Sequence, residues 1–411
     1  MSDEIQIRTV DESELERFSE AIAVVFAFEP HADEIEVFTR QIETDRTMVA
    51  VDGGQFVATG GANSYRMVVP GGEQIGAGGL TIITVHPTHR RRGLLRRMIA
   101  RHFDDAAQRR EVVSILWASE SSIYGRFGYG MGVEGRDLTV ARAHARFRDD
   151  LPGPSGTVRL LDLEDARAVI PAIHHAASVG AGIPGSIERR DADWAAYFTD
   201  PEHRREGATR LHFAVHSLGE EPRGYARYRL KSSWGAGGPD GTVLVHDIQA
   251  VDGEAYASLW RYLFSIDLMS KVEASTRPVD DPLYGLLADP RRIEAAGYDA
   301  LWVRVLDVEA ALGTRRYPVE GSLVIEVEDR FRPPTGGRFR LEGGPAGARC
   351  VRTDDPPEVS IPIEHLGAAY LGAPKLRTLA WLGLVGGDDD AIALADQMFR
   401  WPVDPRISVH F

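Results

Sequence analysis

The sequence predicts a mixed α/β (α+β) protein, and three observations lead to this fold class. The stretch Leu80–Gly130 joins buried strand patterns to one long amphipathic helix pattern. Residues 157–308 repeat that order of elements as a degraded copy. Residues 309–411 contain two paired strand patterns followed by helix patterns. A length of 411 residues suits several domains, and we place them at 1–150, 151–308 and 309–411.

The composition narrows the classes of function. The formal net charge of −14 argues against a general nucleic-acid-binding protein. Cys350 is the single cysteine, which excludes an internal disulfide and a thiolate metal cluster. No apolar run reaches the ~20 residues of a membrane span, and the first residues lack a secretory pattern. The histidines show no metal-binding spacing, so we expect no metal. Because the sequence shows neither a membrane span nor a secretory pattern, we expect a cytoplasmic protein.

The front of the first domain is predicted to be an edge strand, two helices and three strands. Acidic residues precede the first helix pattern, as is favourable at a helix start. Glycine-rich turns separate the strand patterns. The elements are predicted at residues 5–7, Leu15–Val25, Ile35–Ile42, Thr47–Val51, Phe56–Tyr65 and Met67–Pro70.

A basic turn with one glycine connects the strand Leu80–Val85 to the helix pattern from Leu94 to Phe103. The first turn of a helix carries unpaired N–H groups and a positive dipole end. Gly93 lets the backbone approach a ligand, and Arg90–Arg92 add positive charge. The turn therefore suits a pyrophosphate, although the same residues also fit a solvated basic turn.

The second half of the stretch adds a strand pattern at Val112–Trp117 and a small polar run, Ala118–Ser122. A serine in that run can cap a short helix over Ile123–Gly130, which ends at glycine. Asp137–Val140 is predicted to be the strand that closes the first domain, and a Pro/Gly-rich linker follows it.

This combination of elements resembles the GNAT acetyltransferase superfamily, whose phosphate loop typically reads Arg/Gln-x-x-Gly-x-Gly/Ala. Arg90 and Gly93 match that loop, whereas Leu95 departs from its small residue. The longer string His89–Leu95, taken with Ala118–Glu120 and Ile123–Gly130, is more similar to one branch, the enhanced intracellular survival (Eis) acetyltransferases. The length and the aromatic last residue also resemble that branch.

The resemblance implies acetyl-CoA as the acetyl donor, gripped by the backbone of the basic turn. In GNAT proteins a backbone N–H of the strand before this turn stabilises the thioester oxygen, as residues 83–85 could do here. The predicted donor-binding residues are Ile83, Thr84, Val85, Arg90, Arg91, Arg92, Gly93, Leu94, Leu95, Trp117 and Ser119.

The resemblance also implies an acid and a base. Tyr124 matches the GNAT tyrosine that protonates the departing thiolate, and it would otherwise be a packing tyrosine, as we expect of Tyr129. In the Eis family the carboxylate of the last residue, here Phe411, takes the proton of the ammonium substrate. An α-carboxyl with a reference pKa near ~3.5 needs desolvation to serve as a base. Alternatively, Phe411 simply ends a terminal strand over residues 407–411.

Two further residues are candidates for binding substrate. Glu29 follows the first helix, in the region that borders the acceptor pocket in Eis proteins, and is otherwise an exposed carboxylate. His410 stands where the best-known members carry an acidic residue, which weakens the inference to aminoglycosides. His410 could serve as a second base or line the pocket.

The second domain is predicted to be an inactive copy of the GNAT fold. Its turn reads Val251-Asp252-Gly253-Glu254, and two acids at that place would repel a pyrophosphate. Ile293–Tyr298 echoes the short helix around Tyr124, with Glu294 in the place of the tyrosine. The third domain resembles the sterol-carrier-like domain of Eis proteins, and either a lipid site or a filled core would fit it.

We therefore expect an acetyl-CoA-dependent N-acetyltransferase that acts by direct attack in a ternary complex. The expected acceptor is an amine of a polycationic small molecule, with a protein lysine as the alternative. Eis proteins form hexamers, so a homo-oligomer is expected. A non-enzymatic ligand-binding or lipid-binding protein built on the third domain is the alternative from another class; a protein of that kind would not need both the basic turn and Tyr124.

Overall fold

The structure is a computed structural model that describes residues 5–29 and 31–411. Up to residue 141 its strands and helices are β1 Gln6–Arg8, α1 Leu15–Phe26, α2 Ala32–Gln41, β2 Met48–Asp52, β3 Gln55–Val68, β4 Gln74–Val85, α3 Leu94–Gln108, β5 Val113–Leu116 and β6 Gly130–Ala141. The next set is β7 Thr157–Leu161, α4 Leu163–Ala177, α5 Asp191–Tyr197, β8 His212–Leu218, β9 Glu221–Lys231, β10 Trp234–Gly235, β11 Gly238–Pro239, β12 Gly241–Ala250, α6 Gly253–Ser265, β13 Met269–Arg277, α7 Leu283–Leu286 and β14 Ile293–Val305. The last set is α8 Val308–Thr314, β15 Gly321–Glu328, β16 Gly337–Gly344, β17 Gly347–Arg352, β18 Val359–Pro362, α9 Ile363–Ala369, α10 Leu376–Trp381, β19 Gly386–Gly387 and α11 Asp389–Phe399.

The chain forms two compact units. The first unit comprises Met1–Val133, Pro184–Ala196 and Asp299–Phe411. The second unit comprises Glu134–Ile183 and Tyr197–Tyr298.

The first unit contains strands in the order β1-β2-β3-β4-β5 followed by the end of β14. The pairs along β1 to β4 are antiparallel, β4 and β5 are parallel, and β5 pairs with Trp302–Val305 in antiparallel sense. The apolar face of α3 packs on one face of these strands through a stripe at helical spacing, which includes Leu94, Met98, Ile99 and Phe103. On the other face α1 packs through Phe18 and Ile22.

The first unit also contains a five-stranded sheet in the order β17-β16-β15-β18-β19. The predicted pairing of the strands at Gly321–Val327 and Gly337–Leu341 is confirmed by the antiparallel register of β15 and β16. Along the chain, α8 precedes the strands of this sheet, α9 and α10 lie between β18 and β19, and α11 follows β19. Arg315 is fully buried and donates to the carbonyl oxygens of Tyr370 and Phe399, so its guanidinium satisfies carbonyl groups at the carboxyl ends of α9 and α11.

The second unit repeats the strand plan with β7-β8-β9-β12-β13 followed by residues 136–141 of β6. As in the first unit, one parallel pair, β12 with β13, lies near the end of an otherwise antiparallel series. Its core surrounds α6 and includes Trp260, Leu259 and Leu263. The two units therefore share one order of antiparallel and parallel strand pairs, as expected of a tandem repeat of one fold.

Two strands pair differently from the sequence expectation. Asp137–Val140 was expected to close the first domain, but it pairs with β13 in the second unit. The closing partner of β5 is instead Trp302–Val305. Both segments carry the same alternating apolar pattern, so local sequence does not specify which parallel pair each one joins.

Several predicted elements have different bounds. Phe56–Tyr65 and Met67–Pro70 were predicted as two strands, but residues 56–68 are parts of the single strand β3, and Val69 and Pro70 lie beyond its end. Ile293–Tyr298 was predicted to echo a short helix, but it is the first half of strand β14, so Glu294 is not a structural counterpart of Tyr124. Residues 407–411 join no strand ladder in the described part of the chain, although Ile407 and Val409 are buried in the predicted alternation.

Candidate functional site

A bulge in β4 shapes the predicted donor site. Thr59 pairs with Thr84 and Gly61 pairs with Thr81, so Ile82 and Ile83 lie opposite Gly60 alone. Ile82 has a φ of 49°, which is strained for a β-branched residue. The Thr59 hydroxyl donates to the Ile82 carbonyl oxygen at 3.0 Å and fixes this conformation. The last residues of β4 are thereby turned relative to the rest of the strand.

Strands β4 and β5 separate just before this bulge. Their parallel pairing runs from Ala77–Val113 to Gly79–Ile115. Within the described residues β4 has no partner on the β5 side beyond Gly79, so Leu80–Val85 leave a row of backbone groups at an open edge. The predicted donor residues Ile83, Thr84 and Val85 all lie on this edge.

The basic turn presents an open helix N-terminus. Arg90 to Gly93 are exposed, and Arg91 (φ 62°) and Gly93 (φ 77°) adopt left-handed conformations. Gly93 is the N-terminal capping residue of α3 and offers no side chain to the first-turn amides. Nothing lies within 4 Å of a Cβ built on Gly93. The first amides of α3, at Leu94 and Leu95, are therefore open to an anion.

One carboxylate holds the turn in place. Asp52 accepts from His89 Nε2 at 3.1 Å and from Arg92 Nη1 at 3.2 Å. The hydrogen bond from His89, assisted by Arg92, lowers the pKa of Asp52. Among the described residues Arg90 and Arg91 form no ion pair, so their charges are available to a ligand.

Tyr124 is buried among apolar side chains, including Leu80, Leu94 and Leu116. Burial, together with the charge of Glu120, raises the pKa of Tyr124 to about 12. In the described part of the chain its hydroxyl has no hydrogen-bond partner. Tyr124 is thus a protonated donor at neutral pH, and it belongs to the same apolar cluster as Leu80 and Leu116, the residues of β4 and β5 just beyond their last pair.

The segment around Tyr124 is less helical than predicted. Only Gly125–Phe127 forms a turn of 3₁₀-helix, which Gly128 ends with a φ of 84°. The capping residue is Tyr124 itself, with no side-chain cap, so the predicted serine cap is wrong. Ser119 is exposed between β5 and this turn.

A buried polar network lies beneath the point of separation. Ser114 Oγ donates to the Gly78 carbonyl oxygen at 3.1 Å and lies 2.7 Å from both His102 Nε2 and Tyr129 Oη. Burial, assisted by Arg46, lowers the pKa of His102 to about 3, so this imidazole is neutral. The expected structural role of Tyr129 is confirmed by its burial and this bond.

Phe411 lies on the opposite face of β4 from α3. A Cβ on Gly79 would approach the Tyr65 and Phe411 rings to 2.6 and 3.1 Å. The two rings pack at 5.0 Å between centroids. Gly79 is the last β4 residue paired with β5, so Phe411 adjoins the start of the opening. No described residue forms an ion pair with the Phe411 carboxylate.

The predicted donor residue Trp117 contacts the chain terminus. Its indole Nε1 donates to the Val409 carbonyl oxygen at 3.2 Å, and its ring lies 4.6 Å from the His410 ring. Partial desolvation of the imidazole lowers the pKa of His410, although the residue as a whole is exposed. Glu29 is exposed after α1, and no described contact links it to Phe411.

The sequence did not predict the set of charged side chains that lies beside Tyr65. Arg190 donates to Asp193 and to Glu43 and lies 4.8 Å from the Tyr65 ring centroid. Burial, assisted by the charge of Asp193, raises the pKa of Tyr65. Arg190 lies 125 positions beyond Tyr65, and no local pattern signals such a contact.

No group of three or more metal-ligating side chains occurs among residues 5–29 and 31–411. No helix among them is long and apolar enough to cross a membrane.

Family models match three parts of the chain. Two are described as acetyltransferase (GNAT) domains, at residues 6–132 and 185–305. A third, a sterol carrier protein domain, matches residues 308–408.

Similar proteins have been named or solved. An uncharacterized N-acetyltransferase of Streptomyces avermitilis is 41% identical over 86% of each chain. The N-acetyltransferase Eis of Mycobacterium tuberculosis is 37% identical over 82% of this chain and 83% of its own. The crystal structure of Eis1 from Mycobacterium abscessus is 30% identical, with a TM-score of 0.85 over 99% of this chain and 100% of its own.

Proposed function

We propose, since the chain belongs to the Eis family of GNAT N-acetyltransferases, that it acetylates an amine of a polycationic small molecule. The predicted family, the enzyme class and the fold of two GNAT domains followed by a sterol-carrier-like domain are confirmed. GNAT acetyltransferases use acetyl-CoA. The observation that carries the proposal is the end of β4–β5 pairing at Gly79, with the open basic turn after β4, Tyr124 in the apolar cluster of Leu80 and Leu116, and the Phe411 ring against Gly79.

The basic turn would bind the pyrophosphate of acetyl-CoA. The exposed guanidinium groups of Arg90 and Arg91 and the first amides of α3 provide donors around the uncapped residue Gly93. The open β4 edge at Ile83–Val85 would hydrogen-bond the rest of the donor. A backbone N–H there would stabilise the charge that develops on the thioester oxygen.

Tyr124 and Phe411 would divide the proton transfers. The Phe411 carboxylate takes a proton from the substrate ammonium, directly or through a water. The free amine attacks the thioester carbonyl carbon, the C–S bond breaks, and the Tyr124 hydroxyl protonates the departing thiolate. The second proton of the acetylated nitrogen then returns through water to the Tyr124 phenolate, and the proton on Phe411 is released to solvent. No acyl group is attached to the enzyme at any stage, which corresponds to direct attack in a ternary complex.

The electrostatics favour a cationic acceptor. The chain carries a formal net charge of −14, and Phe411, whose ring lies against Gly79, supplies a carboxylate with no ion pair among the described residues. Glu43 and Asp193 surround Arg190 beside Tyr65 and offset its charge. Glu29 and His410 are further candidates for contact with a long polyamine.

Location and assembly are part of the proposal. We infer a cytoplasmic protein, because its donor is a cytoplasmic metabolite, and a homohexamer, because Eis proteins assemble so. Trp381 is 84% exposed beside the exposed Leu382 and Leu384, an apolar patch typical of an interface. Light scattering of the purified protein would give the assembly mass.

The test of function is thiol release from acetyl-CoA with three sets of acceptors: aminoglycosides, polyamines and lysine-containing peptides. We expect turnover with the polycationic small molecules and little with the peptides. Turnover with peptides alone would replace the proposed acceptor by a protein lysine. Absence of acetyl-CoA binding would contradict the enzymatic proposal and favour a ligand-binding protein.

A further inference from the structure

The last six residues of the chain are held by side chains and by one distant segment. Within the described chain, residues 406–411 belong to no strand ladder. Arg406 N donates to the Pro184 carbonyl oxygen at 2.9 Å, and the Val409 carbonyl oxygen accepts from Trp117. These bonds therefore contribute to the position of the Phe411 carboxylate.

Residues 184–190, which we name the clamp segment, lie between β3 and these last residues. Gly185 N donates to the Val68 carbonyl oxygen at 2.9 Å, and Val68 N donates to the Ser186 carbonyl oxygen at 2.8 Å. Glu188 N donates to the Arg66 carbonyl oxygen at 3.1 Å. The clamp segment is thus fixed to the strand that carries Tyr65.

The clamp segment packs closely against the last residues of the chain at Gly185. A Cβ on Gly185 would lie 2.6 Å from the Arg406 carbonyl oxygen, and Gly185 has a φ of 84°. Both the contact and the backbone conformation require glycine. The segment therefore acts as a fixed support beneath the tail.

Arg189 of the clamp segment contacts the last residues of the chain. Its Nη2 donates to the Ser408 carbonyl oxygen, three residues before Phe411. The guanidinium carbon lies 4.7 Å from the Trp194 ring centroid, which restricts the side chain. The neighbouring Arg190 packs on Tyr65, and Tyr65 packs on the Phe411 ring.

We propose that Arg189 is a positioning residue that fixes the Phe411 carboxylate for proton transfer. This inference rests on the proposed role of that carboxylate as the base. A base must stay within hydrogen-bond reach of its proton, and a misplacement of ~1 Å can cost about 100-fold in rate. The Val409 carbonyl oxygen accepts from Trp117, and the Ser408 carbonyl oxygen accepts from Arg189. Without the bond from Arg189, the last three residues lose one of these two supports.

The kinetic test compares Arg189→Met, which keeps the aliphatic stem, with Arg189→Lys, which keeps an N–H donor. We expect Arg189→Met to lower kcat at least about tenfold with little change in the KM for acetyl-CoA, and Arg189→Lys to recover part of the loss. Arg330→Met is the matched control, because Arg330 is an exposed arginine of the same unit whose one ion-pair partner among the described residues is Glu328.

The second measurement is release of phenylalanine by carboxypeptidase A, which needs a free and mobile terminus. We expect faster release from Arg189→Met than from the native protein or Arg330→Met. In a variant with two residues added after Phe411, Arg189→Met should lower kcat no further, since the positioned carboxylate is already lost.

Equal peptidase rates and equal kcat for Arg189→Met and the native protein would overturn the inference. So would an additive loss of kcat in the extended variant, which would assign Arg189 a role unrelated to the carboxylate. If the native protein acetylates no amine, the proposed function fails, and the peptidase rates still decide whether Arg189 holds the terminus.

Discussion

At the scale of single residues, Tyr124 and Phe411 would contribute different kinds of group to the proposed site. The Tyr124 hydroxyl is held in apolar surroundings, which keep it protonated and free of a hydrogen-bond partner among the described residues. The Phe411 carboxylate is ionised in water at neutral pH, so it can accept a proton there. In the proposed function these two groups would serve the donor and the acceptor, respectively.

Removing the Tyr124 hydroxyl should slow the chemical step without weakening the binding of acetyl-CoA. We expect Tyr124→Phe to lower kcat about 100-fold, the usual scale for general acid catalysis, while the KM for acetyl-CoA stays nearly unchanged. Steady-state kinetics with both substrates would measure this. Because the pKa of Tyr124 is raised to about 12, the native enzyme should show no loss of this acid up to pH ~10.

His102 should make stability depend on pH. Its pKa is about 3 in the fold and 6.5 in the unfolded chain, so between these values only the unfolded chain binds the proton. The free energy of unfolding then falls as pH is lowered below 6.5, by about 1.4 kcal/mol per pH unit. His102→Gln keeps a donor for Ser114 and removes the titration.

The corresponding measurement is urea unfolding at pH 7 and pH 5. The loss of unfolding free energy between these pH values should be smaller in His102→Gln than in the native protein by roughly 2 kcal/mol. His246, whose pKa burial lowers to about 4, is unchanged by this variant and provides the common background. An equal loss in both proteins would show that His102 does not titrate as described.

Individual site residues differed in how far the sequence could predict them. Arg90, Gly93 and Tyr124 lie in one continuous motif, so their spacing was informative. The contact of Trp117 with Val409 and the bond of Arg189 to Ser408 join residues more than 200 positions apart. Contacts of this kind depend on the folded chain, and local pattern does not specify them.

At the scale of elements, the bulge of β4 and the open end of α3 form the predicted donor site. Leu80–Val85 was recognisable as a strand from its β-branched run. The bulge was not, because Ile82 at a φ of 49° contradicts the preference of a β-branched residue. A strained residue of this kind persists only where the surrounding structure holds it, as it does at many functional sites.

Replacing the glycine at the open helix end tests the donor site. Gly93 and Gly207 have φ values of 77° and 81°, and neither has an atom within 4 Å of a built Cβ. We expect Gly93→Ala and Gly207→Ala to lower stability alike, by about 1 kcal/mol, through the left-handed conformation. Only Gly93→Ala should raise the KM for acetyl-CoA.

Calorimetric melting and steady-state kinetics would compare these two variants. The result that contradicts the donor site is an equal KM for acetyl-CoA in both. Such a result would mean that the backbone at Gly93 is not approached by the donor.

At the scale of the whole molecule, the two GNAT units differ at one turn. Asp252 Oδ1 accepts from Ala255 N at 2.8 Å and so caps α6. Its other oxygen pairs with Arg223 at 2.8 Å. The place that an anion would take in the second unit is thus already occupied by a carboxylate of the chain itself, whereas Gly93 leaves it open in the first.

One acetyl-CoA should therefore bind per chain. Isothermal titration calorimetry is expected to give a stoichiometry near one, with binding weakened by Arg90→Gln. A stoichiometry near two would show that the second unit also binds the donor despite Asp252.

The sequence predicted the three-part organisation better than the strand pairing. Repeated strand and helix patterns are local properties, and they marked both GNAT copies. Each closing strand could pair with either of two similar apolar edges. Residues 136–141 pair with β13 and residues 302–305 pair with β5, whereas the sequence predicted that the strand at 137–140 closes the first domain. The tail was predicted as a strand from its alternation, but side chains hold it instead.

The central claim, that the Phe411 carboxylate is the base, is tested most directly by moving that carboxylate. A variant with two residues added after Phe411 keeps the ring and displaces the charge, and Phe411→Leu keeps the charge and removes the ring. Amine acetylation by both should be measured beside acetyl-CoA binding. We expect the extension to lower kcat at least about 100-fold, to a measurable residual rate, while acetyl-CoA still binds, and Phe411→Leu to retain substantial activity. Full turnover by the extended variant would contradict the account and assign the base to His410 or to an internal acid.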